Sequence, residues 1–234
     1  MRAQRPSCLS CLSKSLSFFV DLDSSDLSNL SSNKICNFYK RGHMVFFEGN
    51  TPTGVYCLEQ GSVKIFRVGV DGKEQIVRVC TPGGLVGIRS LLSEERYTAS
   101  AATLEDSVIC FISKDFFFRL MNKYPQMKSD VVSYLCDLLK EAEDQIISIA
   151  QKSVRERLAA TLLVLSHVFN TDKGQAVYPR ISIPREDLAN IVGTATETVI
   201  RILHDFKEEK LVSANGRSIT LINIDGLKLT AQSF

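Results

Sequence analysis

The sequence predicts an α+β protein in three consecutive parts, and three changes of pattern carry that prediction. Residues 42–112 contain short apolar runs rich in β-branched and aromatic residues, separated by glycines. Residues 131–149 place apolar side chains at three- and four-residue steps, and residues 182–224 combine helix signals with a hairpin signal. The predicted order is therefore a β region, a long helix, and a compact helical region that ends in a hairpin.

The β region is punctuated by Gly49, Gly61, Gly72 and Gly83, which follow the runs "MVFF", "GVYCL", "VKIFRV" and "QIVRVC". Asp71-Gly72 is a hairpin signal, because glycine accepts the positive φ that a tight turn needs. Several short strands at a spacing of 11–12 residues predict an antiparallel barrel or sandwich, here a β-roll.

The middle of the chain predicts two helices. The first runs from Lys114 to Tyr124 and is closed by Pro125, and the second is an amphipathic helix of roughly seven turns. A single apolar stripe on so long a helix favours pairing with a second copy across a two-fold axis. The alternative is that the stripe packs on its own β region, and the two can apply to different residues. The predicted dimer contacts are Leu135, Leu138, Leu139, Ala142, Ile146 and Ile149.

The C-terminal region predicts two helices followed by a hairpin. In "SIPREDLANIVG", Pro184 lies near a helix start and Gly193 at its end. The next helix starts at once, with Thr194 and Glu197 spaced as a capping box. Asn215-Gly216 between two β runs predicts a type I′ hairpin. Two helices around a short turn and a β-hairpin form a winged helix, which places its second helix in the DNA major groove.

Composition and charge narrow the function classes. A net charge of +2 requires any nucleic-acid contact to come from local placement of charge. The longest apolar runs, such as residues 161–169, are too short to span a bilayer, and no apolar segment of a secretory signal is present. Seven cysteines without an export signal predict a cytoplasmic protein, where cysteines serve as core residues, metal ligands or sensors rather than as disulfides.

An enzyme is not predicted. The sequence has no paired carboxylates or nucleophile–base arrangement, and His43, His167 and His204 lie in unrelated segments. "TPGGLVG" at residues 81–87 lacks the lysine and the following helix of a phosphate-binding loop. A pure interaction module would not account for the winged helix, and salt-dependent binding of a short duplex separates these classes.

Two stretches, "EDLANIVGTATETVIRILHDFKEEKLV" and "TPTGVYCLEQGSVKIFR", resemble the CRP/FNR family of bacterial transcription regulators. The resemblance covers nearly the whole chain and is closer to the oxygen-responsive FNR branch than to the cyclic-AMP receptor. It implies a homodimeric, sequence-specific DNA-binding regulator with a cyclic-nucleotide-binding-like β-roll (jelly roll). The implied domains are a cysteine-bearing segment 1–20, a β-roll sensor 21–124, a dimerisation helix 125–152 and a winged-helix domain 153–234.

Family members that bind cyclic AMP carry a Gly-Glu pair for the ribose and an Arg-Ser pair for the phosphate. Here Gly87 is followed by Ile88, and Arg96 by Tyr97. An isoleucine cannot accept the ribose hydrogen bonds, and leaving them unmade costs roughly 1–3 kcal/mol. We therefore expect no cyclic nucleotide, and we expect Arg96 to be a solvated loop residue.

The oxygen-sensing branch holds a [4Fe–4S] cluster with three N-terminal cysteines and one in the β-roll. Aligned without gaps, Cys8 and Cys11 of the CxxC pair match the first two ligands, and Cys110 in "LEDSVICFI" matches the β-roll ligand. Three of the four thiolates are thus present, because the remaining position is Ser17. The fourth ligand stays open between an oxygen and a sulfur. Its candidates are Ser17, Asp21, Asp23 and Cys36.

Two other interpretations of the cysteines remain open. Cys8 and Cys11 could form a dithiol whose disulfide is the signal, since CxxC thiols often have lowered pKa values. Alternatively, the protein has an unknown effector or no cofactor, and the N-terminal pair has no role. The three remaining cysteines, which lie in apolar patterns, are predicted to be core residues: Cys57, Cys80 and Cys136.

One position on the long helix bears on regulation. The oxygen-sensing branch carries there an acidic residue whose repulsion opposes pairing, and this chain has Ala142. Removing a like-charge clash favours the dimer. The resemblance therefore implies a dimer that depends less on its sensor, up to a constitutive dimer.

The second helix of the winged helix carries the family's base-reading pair at Glu197 and Arg201, one turn apart. Arginine donates two hydrogen bonds to guanine and glutamate accepts one from cytosine, so we expect a two-fold symmetric site with a TGA-like core. Competing interpretations are that Glu197 serves the capping box and that Arg201 pairs with Glu197 or Asp205. Thr196 and Ile200 depart from the family pattern, which leaves the outer bases open.

Other contacts are assigned by position. The predicted phosphate contacts are Arg185, Thr194, Thr198, Lys207 and, at the wing tip, Arg217. A loop of Ile88, Arg89 and Ser90 could touch RNA polymerase.

Overall fold

The computed structural model describes residues 7–11, 18–169 and 178–232. The chain divides into two compact units, Met1–Arg67 with Val77–Lys140 and Val68–Ile76 with Glu141–Phe234. The α+β prediction is confirmed. Among the described residues, no helix is long and apolar enough to cross a membrane.

The β-roll follows a short 3-10 turn at Cys8–Ser10 and is built from two four-stranded sheets, ordered β1-β8-β3-β6 and β2-β7-β4-β5. Strand pairs in both sheets are antiparallel, as the regular glycine spacing predicts. The strands are β1 (Ile35–Tyr39), β2 (Met44–Phe46), β3 (Gly54–Gln60), β4 (Val63–Val68), β5 (Glu74–Cys80), β6 (Leu85–Val86), β7 (Ser100–Thr103) and β8 (Ser107–Ser113). The helices up to the end of the long one are α1 (Ser24–Asn33), α2 (Ile88–Leu92), α3 (Lys114–Lys123) and α4 (Pro125–Gln151).

Two glycines show why the turns need this residue. Gly72 has φ +78° between β4 and β5, which confirms the predicted hairpin. Gly61 has φ +88°, and a Cβ atom there would lie 2.2 Å from Ser107 Oγ. Any other side chain at Gly61 would therefore be strained and would clash with β8.

The β1-β8-β3-β6 sheet has an apolar core on each face, because successive side chains of a strand point to opposite faces. Leu58 and Ile109 belong to the core shared with the second sheet. Cys57 and Ile112 belong to the core on the other face, which also contains side chains of α1, α3 and the start of α4. The cysteine-bearing face of β3 and β8 therefore points toward the helices.

The predicted short helix and the long helix after it are both present as α3 and α4. Pro125 is the first residue of α4, a position where its missing N–H costs nothing. The start of the helix buries Met127 and Val131. Cys136 is exposed, so its assignment to the core is wrong. It lies five residues after Val131, about 140° around the helix from the buried face.

The second half of the chain contains α5 (Val154–Phe169), β9 (Arg180–Ser182), α6 (Arg185–Val192), α7 (Thr196–Glu208), β10 (Val212–Asn215), β11 (Ser218–Leu221) and α8 (Ile224–Ala231). The three strands pair in the order β10-β11-β9. α6, α7 and the β10–β11 hairpin form the predicted winged helix.

The predicted capping box at the start of α7 is wrong. The residue before the helix is Ala195, which makes no side-chain cap. The Thr194 N–H instead donates to Ala189 O (3.1 Å), because Gly193 at φ +73° turns the chain back onto the end of α6. The helix consequently begins one residue later than the Thr-x-x-Glu spacing indicated.

The predicted type I′ turn at the wing is also wrong. Asn215 pairs with Ser218, so the loop consists of Gly216 and Arg217. A type I′ turn needs positive φ at both loop residues, and here only Gly216 has it (φ +54°).

Candidate functional site

Three cysteines form a row across neighbouring strands of the β-roll. Cys36 on β1 lies opposite Cys110 on β8, and Cys110 lies opposite Cys57 on β3. Directly opposed residues of antiparallel strands point to the same face, so the three sulfurs share the helix side of the sheet. Cys36 and Cys110 form a disulfide with their Cα atoms 4.0 Å apart. The sequence did not indicate a bond between these two cysteines, because strand register brings together residues 74 positions apart.

Cys8 and Cys11 face this row across one cavity. The cavity is small, with about 30 Å³ of space for solvent, and Cys8, Cys11, Cys57 and Cys110 all line it. The structure thus brings the three sequence-predicted cysteine ligands together and adds Cys57, which the sequence indicated only as a core residue. The remaining lining residues are Phe19, Leu27, Leu30, Lys34, Glu59 and Ile112.

The N-terminal turn is held against the β-roll by α1. The Cys8 N–H donates to Ser31 Oγ (2.8 Å), and this hydroxyl donates to Leu27 O within the helix (2.9 Å). Asp26 on the same helix accepts hydrogen bonds from Lys123 Nζ and the Tyr124 hydroxyl at the junction of α3 and α4. The position of Cys8 therefore depends on contacts made by α1.

Two charged residues in the cavity set its electrostatics. Lys34 and Glu59 are 4% and 6% exposed. Burial raises the pKa of Glu59, although Lys34 and a hydrogen bond from Cys11 act to lower it. Burial also raises the pKa of the Cys57 thiol, again against the charge of Lys34. The positive charge of Lys34 therefore favours the thiolate form of Cys57.

The four cavity cysteines are the donor type that an iron–sulfur cluster takes, and one of them, Cys110, is bonded to Cys36. Thiolates are the usual ligands of such clusters, and four cysteines line one cavity. The described part of the chain nevertheless contains no group of three or more Cys, His, Asp or Glu residues arranged to hold a metal ion. Ser17 lies outside the described residues. Asp21 and Asp23 do not line the cavity, and Asp23 caps α1 instead.

The two residues that depart from the family's nucleotide-binding pattern are both buried in the β-roll. Ile88 is 1% exposed, and Tyr97 is buried with its ring stacked on Phe46 at 3.8 Å between centroids. Arg96 is exposed and donates from Nη1 to Gly49 O (3.0 Å).

The proposed polymerase loop needs a correction. Its residues form the helix α2, with Ile88 and Ser90 buried. Only Arg89 of the three is at the surface, where it contacts Glu95 and Thr98.

The helix α7 separates its two faces cleanly. Val199, Ile202, Leu203 and Phe206 are buried, whereas the opposite face is exposed. The exposed residues include Glu197, Ile200, Arg201 and Lys207. Within the described residues, neither Glu197 nor Arg201 takes part in an ion pair. Both side chains are therefore available to a ligand outside the chain.

The predicted phosphate contacts differ in exposure. Lys207 and the wing residue Arg217 are exposed, whereas Thr194 and Thr198 are half-buried, as is Thr196 at the position before Glu197. Arg185 at the start of α6 is half-buried, and its Nη1 has no hydrogen-bond partner among the described residues. Burial lowers the pKa of this guanidinium.

Sequence reasoning missed Arg157, which fixes the turn between α6 and α7. Its Nε donates to Val192 O (3.0 Å) and its Nη2 to Gly193 O (3.4 Å), while Nη1 donates to Lys152 O (2.8 Å). These bonds satisfy carbonyls at the end of α6 that have no partner within the helix. No sequence signal indicates this role, because an arginine in a helical first turn is usually solvated.

A β-roll, a long helix and a winged helix with an open polar face on its second helix define a DNA-binding regulator. Residues 36–124 match the cyclic nucleotide-binding domain model, and residues 156–230 match the Crp-like helix-turn-helix domain model. The chain is 30% identical over 174 residues to the cyclic AMP receptor protein of Thermus thermophilus, covering 74% of this chain and 77% of that protein. It is 28% identical over 229 residues to the transcriptional activator protein FnrA of Stutzerimonas stutzeri, covering 97% and 93%.

A solved structure has the same fold. A CRP/FNR-family transcriptional regulator from Thermus thermophilus superposes with a TM-score of 0.72 at 23% identity, covering 85% of this chain and 98% of that one. The chain belongs to the CRP/FNR family of DNA-binding transcription regulators, which are not enzymes.

Proposed function

We propose that the chain is a homodimeric transcription regulator whose β-roll and N-terminal cysteines sense a redox or oxygen signal. The observation that carries the proposal is the convergence of Cys8, Cys11, Cys57 and Cys110 on one cavity beside Lys34. Relatives support the class of signal, since they include the fumarate and nitrate reduction regulatory protein of Yersinia pestis, 29% identical over 188 residues.

The cofactor that suits this donor set is a [4Fe–4S] cluster. Cys8, Cys11 and Cys110 would hold it, with the fourth ligand from Cys57 inside the cavity or from Ser17 at the family position. When bound, such a cluster supplies a group that reacts with oxidants and so changes with oxygen supply. Lys34 offsets its negative charge inside the protein.

Dimerisation is proposed through α4. Val132, Leu139 and Ile146 are spaced by seven residues and are 60%, 61% and 67% exposed. A second row at the same spacing consists of Leu135, Ala142 and Ile149. Two such rows are the a and d positions of a two-stranded coiled coil, and a second copy of the same helix is the partner that matches them. Leu138 lies beside the seam.

The proposed target is a two-fold symmetric DNA site with a TGA-like core, read by Glu197 and Arg201 from each protomer. Lys207 and Arg217 would contact phosphates, and the half-buried threonines of α7 would contribute at the edge of the interface. Of the three residues predicted to contact RNA polymerase, the exposed Arg89 of α2 is the one that would do so. Since its target is chromosomal DNA, we place the protein in the bacterial cytoplasm.

A second candidate is a regulator of the same fold with an unknown β-roll effector or with no cofactor. The 30% identity to a protein named cyclic AMP receptor favours an effector in the β-roll. The buried Ile88 and Tyr97 oppose a cyclic nucleotide, because Ile88 has no acceptor for the ribose hydroxyls and Tyr97 replaces the serine of the phosphate-binding pair.

The deciding experiment is anaerobic purification, with iron and sulfide counts, a visible spectrum, and duplex binding before and after air exposure. A brown protein that bleaches in air and loses DNA affinity is the expected result. If an iron-free protein binds DNA in an air-dependent way, the redox sensor is the Cys8–Cys11 dithiol rather than a cluster. DNA binding that ignores both air and reductant would refute redox sensing and favour the constitutive dimer.

A further inference from the structure

We propose that Cys36 and Cys110 form a reversible disulfide that withdraws Cys110 from the cysteine cavity. The reversible disulfide is proposed independently of any cofactor. The further claim that it prevents Cys110 from binding a metal rests on the cluster proposed above. Cys110 is the residue that both states need, since it lines the cavity and is bonded to Cys36.

The position of the two cysteines makes the bond reachable from solvent. β1 is the edge strand of its sheet, and Cys36 on it is half-buried, whereas Cys110 one strand further in is 4% exposed. An oxidant therefore meets Cys36 first. Cys110 lies directly opposite Cys36 on one side and Cys57 on the other. The cysteines with which it can form a bond are therefore these two and those across the cavity.

Opening the bond does not require the sheet to separate. β1 and β8 pair at five consecutive positions from Ile35↔Phe111 to Tyr39↔Ser107, so backbone hydrogen bonds hold the register on both sides of the disulfide. A disulfide between cysteines that stay adjacent when reduced can open and close without unfolding. In a reducing compartment such disulfides usually serve redox chemistry rather than stability.

The oxidant class is a peroxide, and two steps account for every atom and electron. The Cys36 thiol attacks one peroxide oxygen, the O–O bond breaks, and a sulfenic acid and one water form. The Cys110 sulfur then attacks the Cys36 sulfur, the S–S bond forms, and the S–O bond breaks to release a second water. The two thiols lose two electrons and two protons to hydrogen peroxide. Two equivalents of a small thiol reverse the reaction by exchange.

The disulfide changes the number of cysteine sulfurs that are free to bind a metal in the cavity. Reduced protein offers four cysteines to the cavity, and oxidised protein offers Cys8, Cys11 and Cys57 alone. A cluster lost to an oxidant could then return only after the disulfide has been reduced. The disulfide thus acts as a lock on the oxidised, cluster-free state.

The first test maps the bond in the full chain. Cluster-free protein is reduced, treated with hydrogen peroxide, alkylated at its free thiols, digested and examined by non-reducing mass spectrometry. We expect a Cys36–Cys110 crosslinked peptide that disappears after treatment with dithiothreitol. Free alkylated Cys36 and Cys110 in the peroxide-treated sample would overturn the proposal.

The second test measures competition. Peroxide-treated wild type, Cys36→Ser and the control Cys136→Ser, which removes an exposed cysteine of α4, receive ferrous iron and sulfide without oxygen or thiols. We expect wild type and Cys136→Ser to bind no cluster until reduced, and Cys36→Ser to bind it directly, measured as bound iron and visible absorbance. Circular dichroism checks that each variant is folded.

The outcomes separate the two proposals. Equal loading of oxidised wild type and Cys36→Ser would overturn the competition while leaving the cluster intact. If reduced wild type takes up no iron, the cluster itself fails and the competition fails with it. In that case the peptide map still shows whether Cys36 and Cys110 form a disulfide.

Discussion

Arg201→Ala is the sharpest perturbation of the DNA-reading face. Arg201 is exposed on α7, and the residues that hold this helix in place lie on the opposite face. Because surface substitutions away from packed residues usually change stability by within about 0.5 kcal/mol, the variant should fold and dimerise normally. A change in DNA binding then reports the lost side chain rather than a lost fold.

The magnitude follows from the geometry of the proposed contact. An arginine bonded to both guanine acceptors contributes about 1–3 kcal/mol of discrimination. A symmetric dimer places one Arg201 on each half-site, so the loss doubles to about 2–6 kcal/mol. At about 1.4 kcal/mol per factor of ten, the affinity should fall at least about thirtyfold.

The assay is fluorescence anisotropy with a palindromic duplex that carries TGA half-sites, compared with a duplex whose central G·C pairs are replaced by A·T. Wild type should prefer the first duplex, and Arg201→Ala should bind both alike. Lys207→Ala is the matched control, because loss of a phosphate contact weakens binding to both duplexes equally and reduces the salt dependence. If Arg201→Ala keeps the wild-type preference, Arg201 does not read the guanine.

Three further predictions concern the sensor and the dimer. Cys57→Ala should lower the iron content of the reduced protein, whereas the control Cys80→Ala in the β-roll interior should not. Equal iron content in both variants would indicate Ser17 rather than Cys57 as the fourth ligand. Hydrogen bonds from Lys123 and Tyr124 lower the pKa of Asp26 from its ordinary value of 3.8. These bonds stabilise the folded protein fully above pH 3.8, and the stabilisation is lost as the pH falls through the lowered pKa. Asp26→Asn should therefore flatten the acid side of a Tm-against-pH curve, and an unchanged acid side would contradict this. Leu139→Glu should shift sedimentation toward the monomer, because it places like charges across the α4 seam, and an intact dimer would argue against that seam.

The sequence predicted features that depend on local pattern. The glycine-spaced strands, the long α4 and the order of α6, α7 and the hairpin depend on periodicity and on residues such as Gly72 and Gly193, whose positive φ is visible in the residue type. The errors at the α7 cap and the wing turn are displacements of a single residue. Several registers of the same local pattern satisfy similar hydrogen bonds there, and packing of the neighbouring elements selects one.

The cysteine cavity was only half predictable for a different reason. Cys8, Cys11 and Cys110 were found by matching a family pattern. Cys36, a candidate fourth ligand from the sequence, is bonded to Cys110, and Cys57 joins the site through strand pairing. Such pairing between distant segments is set by which faces of the sheet are buried, and cysteine spacing along the chain does not encode it. A strand alignment that placed β1, β8 and β3 side by side would have revealed the row.

The cavity and the start of α4 share one core, and this contact gives a redox event at the cysteines a physical route to the dimer helix. Cys8, Phe19 and Cys57 pack in the same cluster as Val131, with Phe18 and Tyr134 against it. The Phe18 and Tyr134 rings meet edge to face at 5.0 Å. A change that moves the N-terminal segment must therefore repack the buried side of α4, because close-packed cores do not absorb displacement without loss of contacts. Leu135 of the proposed dimer seam packs against this same core, and the other seam residues continue along the same helix. We therefore expect oxidation at the cysteines to reach the dimer through the position of α4.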